Sequence, residues 1–189
     1  MDDHNDETEV ALDASLVRRA REGDDNAFAQ LVRRHERSAQ RLAAFVCGST
    51  TEAFDVTQEA FLVAYTRLPK LHDDLAFRGW LMRITANTAK NRMRSTSRRA
   101  RRENRVAAFA NAPSLSPEDH AITGADAASL WRAIGQLDER ERVVVALRYA
   151  AGLSEAETAT ALGIPAGTVK SRTSRAMAEL RDTLGETRD

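Results

Sequence analysis

The chain is short of cysteine, proline, glycine and aromatic residues, and each shortage excludes something. A single cysteine, Cys47, forbids an internal disulfide, and its neighbours Phe45 and Val46 predict that it packs in a core. Four prolines and nine glycines in 189 residues enforce few turns, and a 5% aromatic share offers little of what pleated sheets use. No run approaches the roughly 20 apolar residues of a membrane span. The acidic start MDDHNDETE lacks the basic residues that open a signal peptide, so a cytoplasmic protein with no membrane insertion of its own is expected. His4, His35, His72 and His120 are scattered without metal-ligand spacing. No glycine-rich loop is placed to cradle phosphates and no nucleophile has an evident base, which argues against an enzyme, a metal and a cofactor.

What remains is helical material. Alanine, leucine, arginine and glutamate dominate, and their side chains lose little freedom in a helix. A 42% hydrophobic share is enough for a core. The expected fold class is all-α, in two small helical domains joined by a flexible linker.

The 28 cations and 28 acids cancel overall but not locally. Residues 1–60 hold seven arginines against thirteen acids, residues 61–112 twelve cations against three acids, and residues 113–189 nine against twelve. A cationic block is either a solvated, flexible run or a phosphate-binding surface.

Residues 1–14 are acidic and aperiodic and read as a disordered tail, with the first ordered helix beginning near Ser15. Leu16, Val17, Ala20, Phe28, Leu31 and Val32 recur at helical spacing, with a break at Gly23-Asp24 where the aspartate can restart the helix as an N-cap. Further helices are expected near Ser38 to Cys47, Ala53 to Leu68, and from Phe77 into the arginines. Periodicity lapses between Ser95 and Ala125 around NAPSLSPED, where Pro113 and Pro117 disfavour helix, and returns from Ala127 through Leu130, Trp131, Ile134 and Leu137. Val143 to Tyr149 and two short helices follow. The boundaries read 1–14 tail, 15–96 first domain, 97–125 linker, 126–185 second domain.

The most informative stretch is GIPAGTVKSRTSRAMAEL, residues 163–180. Ahead of it, Ser154 and Glu157 form a capping-box pattern for a helix ending at Leu162, and Gly163 supplies the turn. At roughly 100° per residue the next helix buries Val169, Thr173, Ala176 and Leu180 and turns Thr168, Ser171, Arg172, Ser174 and Arg175 outward. Small Ala159 four residues before the glycine and Val169 six after it suit a helix-turn-helix. An ordinary helical hairpin would need no hydroxyl- and cation-rich outer face; one that enters the major groove would.

In the first domain, Val56, Ala60, Phe61, Val63, Ala64 and Leu68 form an apolar side of one helix, opposite Asp55, Gln58, Glu59, Thr66 and Leu62. That acidic face is either plain solvated surface or a docking site with Leu62 as anchor. On the next helix Arg83, Asn87, Lys90 and Arg94 share a narrow arc while Leu81, Met82, Ala86, Ala89 and Met93 face the core. This arc can track phosphates, with Asn87 able to hydrogen-bond a base. Lys70, Arg78 and the run Arg98, Arg99, Arg101 and Arg102 extend it. Phe77 and Trp80 are candidates to stack on a base, Trp80 the better candidate for the core.

With these stretches in place, the chain resembles bacterial sigma factors of the extracytoplasmic-function (ECF) group of the sigma-70 family, over about residues 15–184. The likeness rests on DVTQEAFLVAYTRL (55–68), FRGWLMRITANTAKNRMR (77–94), LDERERVVVALRYAAGLSEAETATALGIPAGTVKSR (137–172) and the tether between them. It implies a region 2-like domain and a region 4-like domain, which bind core RNA polymerase and direct it to the −10 and −35 promoter elements. It implies that Asp55, Gln58 and Glu59 dock on the clamp helices of the largest polymerase subunit. Helix 77–94, with the loop Lys70 to Phe77, would melt and read the downstream element, Asn87 near the flipped-out base. Lys170, Ser171, Ser174 and Arg175 would read the upstream element, with Arg148 and Thr168 on phosphate, and helix Arg140 to Tyr149 would help dock on the polymerase flap. Such factors are commonly held by an anti-sigma factor, and with the chain ending soon after Leu184 no extra sensory domain is expected.

Three positions depart from the pattern. Thr158 and Thr173 stand where apolar residues are usual, so the small core is either looser or their hydroxyls bond backbone carbonyls. Asp138 replaces a usual proline and reads as an N-cap ahead of Glu139 and Glu141. Two rival readings remain. A helix-turn-helix regulator that is not a polymerase subunit would leave residues 15–94 without a purpose, and a nucleic-acid enzyme has no visible site.

Overall fold

The computed structural model describes residues 3–102 and 125–185, and all regular structure among them is helical. Helices α1 (Asp3–Arg21), α2 (Asp25–Cys47), α3 (Thr50–Arg67) and α4 (Phe77–Arg102) make the first unit. The loop from α3 to α4 carries short 3₁₀ turns at Leu68–Lys70 and Asp74–Ala76. The second unit holds α5 (Ala125–Gln136), α6 (Glu139–Val145), α7 (Glu155–Leu162) and α8 (Ala166–Gly185), with a π-type turn at Ala146–Ala150.

Local chemistry sets most boundaries. The Asp24 side chain accepts from the Ala27 amide at 3.1 Å and starts α2, which runs unbroken to Gly48, whose φ of 67° ends it. The expected helix near Ser38 is the second half of this longer one. Ser49 caps α3 through the Glu52 amide, and Asp138 caps α6 through the Arg140 amide at 2.8 Å, as its position suggested. Helix α4 runs on to Arg102, past the expected boundary at residue 96, and α8, at 20 residues, is not short.

Helix α1 begins at Asp3, where a tail was expected as far as residue 14. Buried Asp13 holds it: its carboxylate meets His35 Nε2 and Arg34 Nε, both at 2.7 Å, on α2. The acidic pattern looked like a solvated tail because its partners lie some twenty residues on.

Helix α2 is the central helix and packs on α1, α3 and α4, with Leu31, Ala39, Leu42, Ala43 and Val46 buried. Cys47 is buried as expected, its thiol toward the Ala89 carbonyl at 3.8 Å; burial, then the nearby Glu52 charge, push it up to about 12. In the second unit Ala133, Ile134, Leu137, Val145, Ala176 and Leu180 form a small core with Trp131 against it.

The units are not held apart. Val143, Ala146, Leu147, Ala151, Leu153 and Ala161 belong to the same apolar core as the first four helices, and Phe45 meets Trp131 edge-on at 5.9 Å. Buried Arg142 donates from α6 to the carbonyls of Gly135 (2.7 Å), Leu137 (3.0 Å) and Val46 (3.4 Å). A charge in such a place is not visible in apolar periodicity.

Buried Thr57 and Thr85 donate to the carbonyls of Ala53 and Leu81 four residues back. Thr158 is fully buried and its hydroxyl has no hydrogen-bond partner among the described residues, and neither has that of Thr173. The alternative in which these hydroxyls bond backbone carbonyls does not hold. Thr158→Val is therefore expected to stabilise the protein by roughly 1 kcal/mol, the penalty of a buried hydroxyl without partner, read as a higher denaturant midpoint at constant slope.

Asp13 supplies an acid-sensitive anchor. Burial raises its carboxyl pKa, but hydrogen bonds and charge from His35 and then Arg34 outweigh it, leaving the group below its ordinary 3.8. A carboxyl with a depressed folded pKa contributes stability that is complete above its unfolded value and lost as pH falls through the folded one. Amide exchange in α1 should accelerate relative to α2 below about pH 4. Asp13→Asn should produce that acceleration at neutral pH.

Candidate nucleic-acid and polymerase interfaces

The turn before α8 is built by three local devices. Ser154 Oγ accepts from the Glu157 amide while Glu157 accepts from the Ser154 amide at 2.6 Å, completing the capping box. Gly163 adopts φ 64°, and Ile164 N–H bonds the Ala159 carbonyl. Pro165 then opens α8, accepting from the Thr168 amide. Val169, Ala176 and Leu180 are buried. Lys170, Ser171, Ser174 and Arg175 are exposed, with Thr168 and Arg172 half-buried at the edges.

The outer face is not uniformly free. Ser171 donates to the Thr168 carbonyl at 3.1 Å, and Arg175 Nε lies 3.2 Å from Glu141 on α6. Arg148, expected on phosphate, donates to the Leu153 carbonyl and braces the turn ahead of α7.

On α4 the expected arc is real for Arg83 and Asn87, both exposed. Lys90 is half-buried, and burial lowers its pKa, partly offset by Glu139. Arg94 meets Glu139 of α6 through two bonds, at 3.0 and 2.7 Å. Arg78 donates to the carbonyls of Ala151 and Gly152, each at 3.0 Å, and lies 3.7 Å from Glu157. Arg98 is exposed, while the side chains of Arg99, Arg101 and Arg102 lie outside the described residues, as does linker segment 103–124.

Phe77 requires correction. It is fully buried, its ring 5.5 Å from His35 and 6.0 Å from Trp80, so it has no face to offer a base. An aromatic at the start of a helix reads the same whether it points in or out, and here it plugs the gap between α2 and α4. Trp80 is half-buried against the core. Exposed Lys70 precedes the loop, which α1 grips: Arg21 donates to the Leu71 carbonyl (2.9 Å) and to Asp74 (2.6 Å).

Asp55, Gln58, Glu59 and Leu62 all face solvent on α3, Leu62 at 69% exposure. Beside them an open groove of about 540 Å³ runs between α2 and α3, lined among others by Phe28, Val32, Phe54, Phe61 and Tyr65. Phe54, 53% exposed, and Tyr65, 44% exposed, line this groove and were not singled out from the sequence. Their spacing matches a core stripe, and only the gap between the two helices leaves them uncovered. Tyr65 is oriented by a 2.8 Å bond to Asp25 and an edge-on contact with Phe28.

The family model for Sigma-70 region 2 matches residues 31–99, and that for Sigma-70, region 4 matches residues 127–180. The chain is 37% identical over 175 residues to the RNA polymerase sigma-H factor of Pseudomonas aeruginosa, covering 87% of this chain and 89% of that protein. It is 35% identical over 177 residues to the ECF RNA polymerase sigma-E factor of Escherichia coli, covering 89% and 92%. Among solved structures, CnrH in complex with the cytosolic domain of CnrY superposes with a TM-score of 0.68 at 29% identity, covering 93% of this chain and 98% of that one. With both regions present in order and relatives above 30% identity spanning most of the chain, the protein belongs to the sigma-70 family, among its ECF RNA polymerase sigma factors.

Proposed function

We propose a division of labour for this sigma factor. The α2/α3 groove docks core RNA polymerase, α4 with the loop 70–77 holds the melted downstream element, and the α8 face reads the upstream element. The observation that carries the reading is the groove: apolar Phe54, Leu62 and Tyr65 stand exposed beside Asp55 and Glu59, on a different helix from the cation row of α4. A polymerase surface offering basic and apolar groups can occupy it without covering either cationic face.

Residues 15–96 and 126–185 act as the two promoter-binding units, with 97–125 as the linker. The −35 and −10 elements lie roughly 25 base pairs apart, or about 85 Å at 3.4 Å each. A compact chain of this length has a radius of gyration of about 16 Å and a diameter near 40 Å. The units therefore separate on the promoter, within reach of a linker whose residues 103–124 span up to roughly 75 Å extended, the widths of the units covering the remainder. Separation also frees Arg78 and Arg94 from Ala151, Gly152, Glu157 and Glu139. Unpaired bases are then held by the cations of α4, offsetting an unstacking cost of a few kcal/mol per base.

The chain acts in the cytoplasm, where the polymerase is. CnrH is solved with the cytosolic domain of CnrY. An anti-sigma factor covering the same groove is the corresponding partner here, and helix Arg140 to Tyr149, with Tyr149 exposed, assists docking on the polymerase flap.

Charge reversal at Asp55 and Glu59 should weaken binding to core polymerase about tenfold or more, with the circular dichroism spectrum and melting temperature unchanged. Retained affinity would remove the docking assignment. On α8, Lys170→Ala should reduce by about one the slope of log affinity against log salt for holoenzyme on promoter DNA. Arg175→Ala should change it less, because Glu141 already neutralises part of that charge.

A further inference from the structure

The last turn of α1 carries Arg18, Arg19 and Arg21, and each is used differently. Arg19 closes the corner into α2 by two bonds to the cap residue Asp24, at 3.0 and 2.6 Å. Arg21 reaches some fifty residues along the chain, donating from Nη2 to the Leu71 carbonyl at 2.9 Å and to Asp74 Oδ1 at 2.6 Å. Arg18 adds a longer contact, 3.7 Å from the other oxygen of Asp74.

The loop so gripped has little internal structure. Leu71 is buried and its amide bonds Leu68; Asp73 caps the short turn through the Leu75 amide at 3.0 Å, and Ala76 bonds back to Asp73. Among the described side chains, Arg21 is the donor that bonds both ends of the segment between these turns. Outward, the loop presents Lys70, His72 and Leu75, the last 60% exposed. It also carries two carboxylates, Asp73 and Asp74, the second turned toward α1. Arg21 and Arg18 neutralise the second of these.

We infer that Arg21 is a positioning residue for downstream-element recognition, holding the loop 71–76 in one shape and cancelling the Asp74 charge. This rests on the reading of the loop given above. Arg21 itself touches no base. Its effect reaches DNA through Leu71 and Asp74, so it is a determinant of base discrimination on a helix outside the DNA-facing surface. A loop free to take several shapes fits a matched base less well while still meeting phosphates, so discrimination falls more than affinity.

The test uses reconstituted holoenzyme and fluorescent single-stranded oligonucleotides carrying a matched or a base-substituted downstream element. Arg21→Ala should lower the matched-to-substituted affinity ratio by about fivefold to tenfold, with core affinity and upstream-element affinity within twofold of wild type. Asp74→Ala, which removes the acceptor on the loop's side of the contact, should move the ratio in the same direction. Arg21→Lys, which keeps the charge and can donate to both acceptors, should recover part of the loss. A combined His72→Ala/Leu75→Ala variant tests the loop itself. If that variant loses discrimination while Arg21→Ala does not, the positioning role is wrong and the reading of the loop stands. Unchanged ratios in both would overturn the reading of the loop as well. A parallel loss of core affinity or melting temperature in Arg21→Ala, or an Arg21→Ala loss with an unaffected loop variant, would reduce Arg21 to a general structural role and overturn the inference.

Discussion

A buried guanidinium, that of Arg142, joins the two halves of this protein, and the carbonyls it holds explain why it is tolerated there. Gly135 and Leu137 lie at the carboxy-terminal end of α5, and Val46 lies in the last turn of α2. Helix ends of this kind present carbonyls without intrahelical partners and the negative pole of the helix dipole. One side chain thus satisfies both ends at once, and the cation is offset by dipoles. Burial lowers its pKa, with Glu139 and then Asp138 opposing. Lysine would bring a compact ammonium without the planar fork that spans carbonyls of separate elements.

The same chemistry recurs along the seam. At the end of the π-type turn and just beyond it, the Ala150 carbonyl accepts from Arg41 and those of Ala151 and Gly152 accept from Arg78, while Arg148 of the same unit holds that of Leu153. The turn is what makes this possible: Ala151 bonds back to Ala146 and Leu153 to Leu147, so the intervening carbonyls are released from helical bonding and point at the first unit. Gly152 sits at φ 70° with Arg78 close against it; a side chain there would be strained in backbone and would meet the guanidinium at 3.3 Å. Arginines that sequence logic assigns to phosphate are therefore engaged inside the folded chain. Exposed pairs such as Arg94 with Glu139 are worth little in water, so exchanging a carboxylate for a phosphate at those positions costs little free energy.

What was legible in the sequence was local. Asp24, the Ser154/Glu157 pair and Gly163 each act on the backbone within four residues, and Val169, Ala176 and Leu180 repeat on one helical face, so composition and spacing state the result directly. What escaped was decided by distant neighbours. Asp13 looks like part of an acidic tail until Arg34 and His35 stand beside it. Phe77 looks like a stacking platform until His35 and Trp80 close over it, whereas Phe54 and Tyr65 look like core until the gap between α2 and α3 leaves them open. The separation into two domains was read from a linker without periodicity, and nothing in that linker tells whether Leu147 and Leu153 will pack on the first four helices.

Helix α1 shows how such distant contacts assemble a function from weak parts. Its middle is fixed by a buried carboxylate between two bases, and its end by Arg19 on the Asp24 cap, so the helix is held at two points on α2 before Arg21 meets the loop. That order matters physically. A long side chain in solvent loses about 1.5–2 kcal/mol of rotamer freedom on being fixed, enough to cancel a single exposed ion pair. When its backbone is already immobile and it meets a carbonyl and a carboxylate together, the same loss is offset by two charge-assisted bonds. The acidic stretch at the start of the chain, least structured on composition alone, thereby becomes the support on which the loop 71–76 keeps one shape.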